Sequence, residues 1–415
     1  MNAVTGTHPA CRFCGEVLRT SFADLGATPL ANSYLDNADP GTPDPSYPLH
    51  ARVCDNCLLV QAEDVVPAEE IFSEYAYFSS FSTSWVAHAE AYTKMATKRF
   101  DLDSSSSVVE VASNDGYLLQ HFVKAGIPVL GIEPAANVAE AAEANGVPTM
   151  AAFFGLELAD ALRSKGTQAD LLLGNNVLAH VPDLNDFVAG LARLLAEDGV
   201  LTMEFPHLAR LIEHAQFDTI YHEHFSYFSL LVVEKVFARH GLRLFDVEEL
   251  PTHGGSLRIF ASHADGAARP EGSGLAKVRR DEAAMGLDKV ASYAGFQARV
   301  EAIRDGLLAF LAKAGDDGKS VAAYGAAAKG NTLLNYCGVD AALIDFVADV
   351  SDQKQGKFLP GSHIPIVAPA RLRDTKPDFV LILPWNLKRE ITVAHDYIAE
   401  WGGRFVVAVP ELTIL

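Results

Sequence analysis

The chain has 415 residues, of which 49% are hydrophobic and 21% charged, and its formal net charge is −20. This length exceeds the size at which one hydrophobic core keeps growing, so two or three domains are expected. The acidic balance argues against nucleic-acid binding, because it repels a polyphosphate backbone, but it leaves room for a small phosphorylated ligand. No apolar run approaches the roughly 20 residues that cross a bilayer, and the first residues lack a secretory signal pattern. We therefore expect a cytoplasmic protein without a membrane partner.

Four of the five cysteines form two C-x-x-C pairs, Cys11 with Cys14 and Cys54 with Cys57. This spacing lets both thiolates of a tight turn face one tetrahedral ion, and two such turns supply four sulfur ligands. A redox pair and unligated core thiols are the alternatives. In a reducing compartment the pattern favours a structural zinc without an open coordination position. The remaining Cys337 is expected to be a buried apolar residue.

The next part of the chain alternates between predicted strands and helices. SSSSVVEVASNDGYLLQHF predicts a buried strand, a turn and a helix, and VLGIEP, ADLLLGNN and GVLTMEFP predict three more strands. A helix is expected over Asp186 to Leu195, between the last two strands. Such alternation indicates a parallel, doubly wound α/β sheet that binds its ligand along one edge.

The last third of the chain predicts helices and then a second α/β unit. Long helices are expected from about Gly266 to Lys313, and SVAAYGAAAKGNTLLNY, IDFVADV, FVLILPWN and FVVAVPEL restart the alternation. The expected domains are therefore residues 1–70, 71–265 and 266–415.

One strand-to-helix turn has the composition of a ligand-binding loop. Small residues from Glu110 to Gly116 let the backbone approach a ligand closely, although the G-x-G-x-x-G spacing of a dinucleotide site is missing. Glu133, at the end of the next predicted strand, is placed to bind ribose hydroxyls, and it could equally be a solvated strand end.

Several motifs together resemble one enzyme family. EVASNDGYLL, GIEPAANVA, NNVLAHVPD, HGGSLRIF and YHEHFSYFS, with the cysteine pairs, resemble the S-adenosylmethionine-dependent C-methyltransferases that act at C-3 of dTDP-4-keto-deoxysugars. The resemblance covers essentially the whole chain and keeps the motif order. It implies an N-terminal zinc-binding domain, a class I methyltransferase core, and a C-terminal Rossmann-like domain that helps to hold the nucleotide sugar. The implied role is in deoxysugar biosynthesis for a natural product such as an antibiotic. We expect a monomer or a homodimer, and the sequence leaves this choice open.

The resemblance also implies which residues bind the cofactor. Glu133 becomes the ribose partner, and Asn175 and Asn176 border the methionine end. Ala112 stands where many methyltransferases have glycine, a substitution that the family shares. The expected loop residues are Glu110, Ala112, Ser113, Asn114, Asp115 and Gly116.

The segment YHEHFSYF supplies groups for proton transfer. Carbon methylation next to a ketone needs a base, donors for the enolate oxygen and rigid alignment. In an extended segment His222 and His224 face one way while Tyr221 and Glu223 face the other, whereas a turn brings Tyr221, Glu223 and His224 together.

By resemblance, His224 is the base and Glu223 sets its orientation or tautomer. Tyr221 and His180 contact the sugar or stabilise the enolate, and Tyr75 forms a wall of the pocket. The alternatives for the histidines are a catalytic metal bound by His222 and His224, or a polar loop without a chemical role. His222 has no assigned function.

Two further motifs are candidates for the sugar-phosphate side. HGGSLR contains glycines where the backbone approaches a neighbour closely and the cation Arg258, although a strand-end turn explains it nearly as well. In YGAAAKGN, a strand–turn–helix opening exposes amides beside Lys329, Gly330 and Asn331, as expected for a pyrophosphate site. Asn386 is a weaker candidate. The alternative functions are an O- or N-methyltransferase of another small molecule, and a non-catalytic zinc-ribbon protein that binds nucleotides.

Overall fold

A computed structural model describes residues 9–37, 44–63, 65–67 and 78–415. Within these ranges the strands form three sheets. The strands are β1 (Thr20–Thr28), β2 (Tyr47–Val53), β3 (Val60–Ala62), β4 (Val108–Val111), β5 (Val129–Glu133), β6 (Thr149–Ala151), β7 (Ala169–Asn175), β8 (Leu195–Pro206), β9 (Ser226–Tyr227), β10 (Leu242–Leu250), β11 (Ser256–His263), β12 (Val321–Tyr324), β13 (Val347–Ala348), β14 (Ile366–Val367), β15 (Phe379–Ile382), β16 (Arg404–Val407) and β17 (Thr413–Ile414).

The α-helices connect these strands and cover the sheets. They are α1 (Thr83–Arg99), α2 (Leu119–Lys124), α3 (Ala136–Ala144), α4 (Leu156–Ser164), α5 (Leu184–Leu194), α6 (Leu208–Glu213), α7 (Leu230–Arg239), α8 (Ser273–Ala284), α9 (Phe296–Asp316), α10 (Ala328–Cys337), α11 (Arg371–Thr375) and α12 (Lys388–Ala394). None of those described is long and apolar enough to span a membrane.

The central sheet has the strand order β10-β11-β8-β7-β4-β5-β6. Strands β4 to β8 pair in parallel, whereas β11 runs antiparallel to both of its neighbours. The predicted doubly wound sheet is confirmed. The four strands predicted from apolar runs are present, and β6, β10 and β11 were not predicted.

Helix α5 illustrates how the sequence specifies an element. Asp183 caps its start, because the carboxylate accepts a hydrogen bond of 3.0 Å from the amide of Asp186. Leu184, Phe187 and Leu191 recur at helical spacing and are buried against the sheet. The helix begins two residues before the predicted start and ends one residue before the predicted end.

The N-terminal sheet has the order β1-β2-β3-β9, and its pairs are all antiparallel. Strand β9 belongs to the segment YHEHFSYF, so a distant part of the chain completes this sheet. The stacked rings of Phe22 and Phe296, 4.3 Å apart between centroids, pack the sheet against α9. The N-terminal domain is therefore in contact with both other parts of the chain.

The C-terminal sheet has the order β14-β13-β12-β15-β16-β17, with only β17 antiparallel to its neighbour. Like the central sheet, it has a carboxylate that accepts a hydrogen bond from the loop after its first strand. Glu133 Oε2, at the end of β5, accepts a hydrogen bond of 2.9 Å from the amide of Asn114 in the loop after β4. Asp349 Oδ2, just after β13, accepts one of 2.7 Å from the amide of Ala326 in the loop after β12. Both units thus fix their first loop with a carboxylate from the next strand.

Candidate functional site

The four paired cysteines converge in the N-terminal domain. Their sulfur atoms all lie within 4.8 Å of one another. Each pair sits on a tight turn, since the amide of Gly15 donates to the carbonyl of Cys11 and the amide of Leu58 to that of Cys54. Four clustered sulfur ligands suit one tetrahedral zinc ion. Cys337 is buried and lies outside the cluster, as predicted.

The loop after β4 has an unusual backbone that positions amides at the sheet edge. Ala112, Asn114 and Gly116 have φ angles of 56°, 50° and 77°, in the left-handed region. Ala112 adopts this conformation although it carries a Cβ, at the position where glycine is common in methyltransferases. A Cβ on Gly116 would lie 2.8 Å from a methyl carbon of Val147, so that glycine also serves close packing.

Glu133 joins this loop to the next one. Its carboxylate accepts hydrogen bonds from the amides of Asn114, at 2.9 Å, and Ala135, at 3.0 Å. Burial raises the pKa of Glu133, and the charge of Asp115 adds to that effect. A carboxylate oxygen can accept more than one hydrogen bond, so Glu133 retains capacity for a ribose hydroxyl.

Several buried polar atoms beside the loop have no partner among the described residues. They include both carboxylate oxygens of Glu110, Oδ1 of Asp115, Nδ2 of Asn175 and Oδ1 of Asn176. Burial raises the pKa of Glu110 well above its ordinary value, and the charges of Glu133 and Asp115 act in the same direction. S-adenosylmethionine carries a sulfonium and an ammonium group as well as ribose hydroxyls. It would satisfy these atoms, so the residues fit that cofactor.

A tight turn brings the side chains of YHEH together. The amide of His224 donates to the carbonyl of Tyr221 at 2.8 Å, and the rings of the two residues lie 4.0 Å apart between centroids. The ring of His180, from the 3-10 helix Leu178–His180, lies 4.7 Å from that of His224. The structure therefore has the turn, and not the extended alternative, at this segment.

His224 is held in one tautomer. Its Nδ1 lies 2.7 Å from the carbonyl oxygen of Thr219, which can only accept, so Nδ1 carries the proton and Nε2 keeps its lone pair. Burial lowers the pKa of His224 well below its ordinary value, and the nearby His180 and Lys329 contribute. An imidazole that is neutral near pH 7 can accept a proton.

Glu223 and His180 are linked through the main chain. Nδ1 of His180 donates to the carbonyl oxygen of Glu223 at 2.8 Å, and burial lowers the pKa of His180 to about 4. The Glu223 carboxylate accepts a hydrogen bond of 2.5 Å from Nδ2 of Asn32. The hydrogen bond that fixes the tautomer of His224 is thus donated by its Nδ1 to the carbonyl oxygen of Thr219, and the role of Glu223 stays a prediction.

His222 points away from His224, toward the N-terminal domain. Its Nε2 lies 3.2 Å from the carbonyl oxygens of both Tyr47 and Pro48, at the start of β2. The two histidines therefore do not form a metal pair. Within the described ranges, the cysteines make up the one cluster of three or more residues that could hold a metal. His222 helps to join the turn at residues 221–224 to the N-terminal sheet.

The segment HGGSLR lies against other side chains of the protein. A Cβ on Gly254 would lie 2.5 Å from the ring of Trp385, and one on Gly255 would lie 2.6 Å from the side chain of Arg210. Arg258 is buried and donates to Glu204 at 2.8 Å and to Glu248 at 3.3 Å. Its charge is therefore neutralised by two carboxylates, and Arg258 is a structural cation of the central sheet. These two pairings hold Arg258 within the central sheet, and its place on the sugar-phosphate side stays a prediction.

Lys329 and Asn386 lie together, but at the boundary with the central domain. Nζ of Lys329 donates to Oδ1 of Asn386 at 2.8 Å and lies 4.7 Å from the ring centre of Trp385. Gly330 packs on Leu383, where a Cβ would come within 2.8 Å. Close packing accounts for this glycine, and its contact with a pyrophosphate stays a prediction.

Asn331 is buried beneath the same helix. Its Nδ2 donates to the carbonyl oxygen of Ala31 at 2.5 Å. Its side-chain amide is therefore used in holding the N-terminal domain against α10, which is a different task from binding a pyrophosphate.

Four residues of this region were not singled out from the sequence: Asn32, Asp218, Thr219 and Trp385. Asp218 and Thr219 lie within three residues of the start of YHEH, so proximity to that motif was the available signal. Asn32 and Trp385 lie 191 and 167 residues from their partners Glu223 and Asp218, and no local pattern marks them. Tyr75, predicted as a wall of the pocket, lies outside the described residues.

A known protein is similar to this chain over nearly its whole length. A C-methyltransferase of Streptomyces niveus, NovU, is 37% identical over 407 residues, which cover 98% of this chain and 96% of NovU. The chain belongs to the C-methyltransferases. Family models also match its three parts: "Putative zinc binding domain" over residues 11–72, "Methyltransferase domain" over 86–247, and "C-methyltransferase C-terminal domain" over 251–410.

More distant relatives cover only part of this C-methyltransferase. A ubiquinone biosynthesis O-methyltransferase of Bartonella quintana (strain Toulouse) is 27% identical over 95 residues, 23% of this chain and 38% of that protein. Magnesium protoporphyrin IX methyltransferase (ChlM) of Synechocystis PCC 6803, solved with bound SAH, has a TM-score of 0.35 at 16% identity. The aligned region covers 43% of this chain and 83% of the ChlM chain.

The family accounts for the two ligand sites described above. The C-methyltransferase is an enzyme that depends on S-adenosylmethionine, with a class I methyltransferase fold for its central domain. The four-cysteine cluster lies within the range that the zinc-binding model matches, in agreement with a structural zinc.

Proposed function

We propose that this C-methyltransferase methylates C-3 of a dTDP-4-keto-deoxyhexose through an enolate, in the biosynthesis of a deoxysugar. The observation that carries the proposal is the state of His224. Its Nδ1 proton is held by the carbonyl of Thr219, which leaves Nε2 as a base, and two further polar rings surround it. A carbon acid next to a ketone is the substrate class that needs such a base.

The proposed reaction begins with proton transfer. Nε2 of His224 removes the hydrogen from C-3, and the electron pair of the C–H bond forms the C-3–C-4 double bond as charge moves to O-4. S-adenosylmethionine, when bound, supplies the methyl group on a sulfonium. The enolate carbon then attacks that methyl carbon, the sulfur–carbon bond breaks, and the ketone forms again. The proton on His224 passes to solvent.

The surrounding residues have separate proposed tasks. Tyr221 and His180 flank the imidazole of His224 and are placed to contact the sugar. Nδ1 of His180 donates to the carbonyl oxygen of Glu223, which fixes the orientation of that ring beside His224. Glu223 supports the turn from its place beside Asn32.

The proposed cofactor site is the edge formed by the loop after β4. Glu133 binds ribose hydroxyls, and Glu110 and Asp115 lie toward the cationic end of the cofactor together with Asn175 and Asn176. The amides from Ser113 to Gly116 line the closest approach of the backbone. For the pyrophosphate of the sugar nucleotide, the first turn of α10 remains the proposal, because its amides precede the hydrogen-bonded part of the helix.

The decisive experiment follows the methyl group and the C-3 hydrogen. The enzyme is incubated with S-adenosylmethionine and a dTDP-4-keto-2,6-dideoxyhexose, and the product is analysed by mass spectrometry and carbon NMR. A methyl group on a quaternary carbon is expected. A methyl group on oxygen or nitrogen would establish the O- or N-methyltransferase instead, and an enzyme that binds neither ligand would indicate a non-catalytic role.

The assignment of the base is tested in the same assay. His224→Asn should lower kcat by about 100-fold to 10,000-fold, because general-base catalysis contributes that much. Binding of S-adenosylhomocysteine should be unchanged. The matched control is His214→Asn, which alters a histidine whose side chain is 45% exposed. An active His224 variant would contradict the assignment.

A further inference from the structure

We propose that the ammonium group of Lys329 binds O-4 of the ketosugar and stabilises the negative charge that develops there. Lys329 is then a catalytic residue at the sugar and not a ligand of the pyrophosphate. The inference rests on the proposed function. It gives that reaction a group that stabilises the enolate oxygen.

A continuous set of contacts connects Lys329 to the base. Its Nζ lies 4.7 Å from the ring centre of Trp385, and the indole of Trp385 donates to Oδ2 of Asp218 at 2.6 Å. Asp218 immediately precedes Thr219, whose carbonyl oxygen fixes the tautomer of His224. The C-terminal domain therefore places this lysine beside the short segment that orients the base.

The charge of the lysine is maintained by a buried carboxylate. Asp218 has no exposed surface, and its Oδ1 has no partner in the part of the chain that the structure describes. Burial lowers the pKa of Lys329, and the negative charge of Asp218 opposes that effect. Asp218 thus keeps a cation at this position, although it accepts its hydrogen bond from Trp385.

The electrostatic effect of Lys329 reaches the catalytic centre. Its positive charge lowers the pKa of His224 and that of His253, whose ring stacks edge-on against Trp85. Only one hydrogen bond of the ammonium group is recorded among the described residues, to Asn386. An ammonium group has three donors, so two can serve a substrate oxygen.

Other candidates for the cation that stabilises O-4 are neutral or already paired. Burial lowers the pKa of both His180 and His253 to about 4, so neither is a cation near pH 7. Arg258 is paired with Glu204, and Lys354 donates to the carbonyl oxygen of Ala326. Among the described side chains that lower the pKa of His224 by their charge, Lys329 is the one amine.

The charge of Lys329 compensates for the low basicity of His224. Because its pKa is low, His224 alone is a weak base for a C–H bond. A fixed positive charge at O-4 lowers the energy of the enolate, so that less basicity is required of the imidazole. During proton transfer the imidazole of His224 becomes a positively charged imidazolium and the sugar becomes a negatively charged enolate. Lys329 keeps its proton throughout. When the C-3–CH₃ bond forms, the charge on O-4 disappears.

The test separates proton abstraction from nucleotide binding. Lys329→Met should reduce both kcat and the exchange of C-3 hydrogen with deuterium, measured with S-adenosylhomocysteine bound, by about 100-fold or more, as for other oxyanion donors. The KM for the ketosugar and the Kd for dTDP should change less than about threefold, since remote binding is retained. Lys329→Arg should restore part of the exchange. Lys313→Met, on the exposed side of α9, is the matched control.

Each other outcome has a defined meaning. If Lys329→Met raises the KM and the Kd for dTDP while kcat is retained, the lysine binds the pyrophosphate and the inference is overturned. Unchanged exchange would also overturn it. Thermal unfolding and binding of S-adenosylhomocysteine show whether the variant is folded. If Lys329→Met is misfolded, the exchange rate of Lys329→Arg tests the inference instead. If the wild-type enzyme neither exchanges nor methylates the ketosugar, the proposed function fails instead.

Discussion

Nδ2 of Asn32 donates a hydrogen bond of 2.5 Å to Oε1 of Glu223. The asparagine belongs to the N-terminal domain and the glutamate to the turn at residues 221–224. Beside it, the hydroxyl of Tyr34 donates to the carbonyl oxygen of Ala326 in the C-terminal domain, at 2.7 Å. A short segment that contains Asn32 and Tyr34 therefore contacts both the turn and the C-terminal domain.

Replacement of Asn32 should impair catalysis more than stability. A hydrogen bond to a charged group contributes about 1.5–3 kcal/mol, so we expect Asn32→Ala to lower kcat/KM by roughly 10-fold to 100-fold. Asn32→Asp should be worse, because it places a second carboxylate beside Glu223. Asn145→Ala, at the exposed end of α3, serves as the control. Steady-state kinetics at several pH values checks this, and wild-type kinetics in Asn32→Ala would refute it.

Glu110 should couple binding of the methyl donor to a proton. Its raised pKa favours the protonated carboxyl group when the cofactor is absent, whereas a bound cation favours the ionised form. Binding of S-adenosylmethionine should therefore release protons, and its affinity should increase as pH rises. Titration calorimetry in buffers of different ionisation enthalpy measures this release.

Glu110→Gln should abolish the proton release and weaken binding of S-adenosylmethionine by roughly 10-fold to 100-fold. S-adenosylhomocysteine, which lacks the sulfonium charge, should be affected less. Glu157→Gln, in the exposed first turn of α4, provides a comparison. Equal proton release in Glu110→Gln would show that another group is responsible.

Asp218 should make the stability of the enzyme depend on pH. Burial raises its pKa from 3.8 to about 6, so the folded state binds the proton more tightly than the unfolded state. The free energy of unfolding should therefore fall as pH rises from about 4 to about 6, by about 3 kcal/mol in total. Asp218→Asn should lack this decrease, whereas Asp265→Asn, at an exposed position, should keep it. Urea unfolding at a series of pH values provides the measurement.

Loss of zinc should affect catalysis as well as folding. Cys54→Ser removes one ligand of the cluster, so the purified protein should contain little zinc and unfold at a lower temperature. Because β9 pairs with β3, the catalytic turn should lose its support and kcat should fall. Cys337→Ser, which changes a buried cysteine outside the cluster, should keep its metal. Metal analysis, thermal unfolding and activity are compared, and a fully active zinc-free enzyme would contradict the expected link.

The sequence predicted those features that depend on local pattern. Continuous apolar runs marked β4, β5, β7 and β8, since strands buried on both faces leave little room for polar residues. The two C-x-x-C pairs predicted their cluster because the spacing itself sets the geometry. Strands β10 and β11 were missed, although LRLFDVEEL alternates between buried and partly exposed positions in its second half.

The candidate site was predictable only in part, since its contacts join distant residues. The chemistry of YHEH was evident, but the hydrogen bond from His224 to Thr219 depends on a turn that residue types alone do not specify. The direction of Lys329 depends on Trp385, 56 residues later, and on Asp218 in another domain. The pairing of Arg258 was not predicted, because its partner Glu204 lies on a neighbouring strand, 54 residues away.

Strand β9 makes the N-terminal domain difficult to exchange between related enzymes. Gln61 and Val60 of β3 pair with Ser226 and Tyr227, and the amide of Ala62 donates to the carbonyl oxygen of Phe225. A chimera that took residues up to β3 from one relative and the remainder from another would join two halves of a sheet that had not evolved together. Recombination of such enzymes should therefore transfer the zinc-binding segment and the YHEHFSYF segment as one unit, even though about 160 residues separate them in the chain.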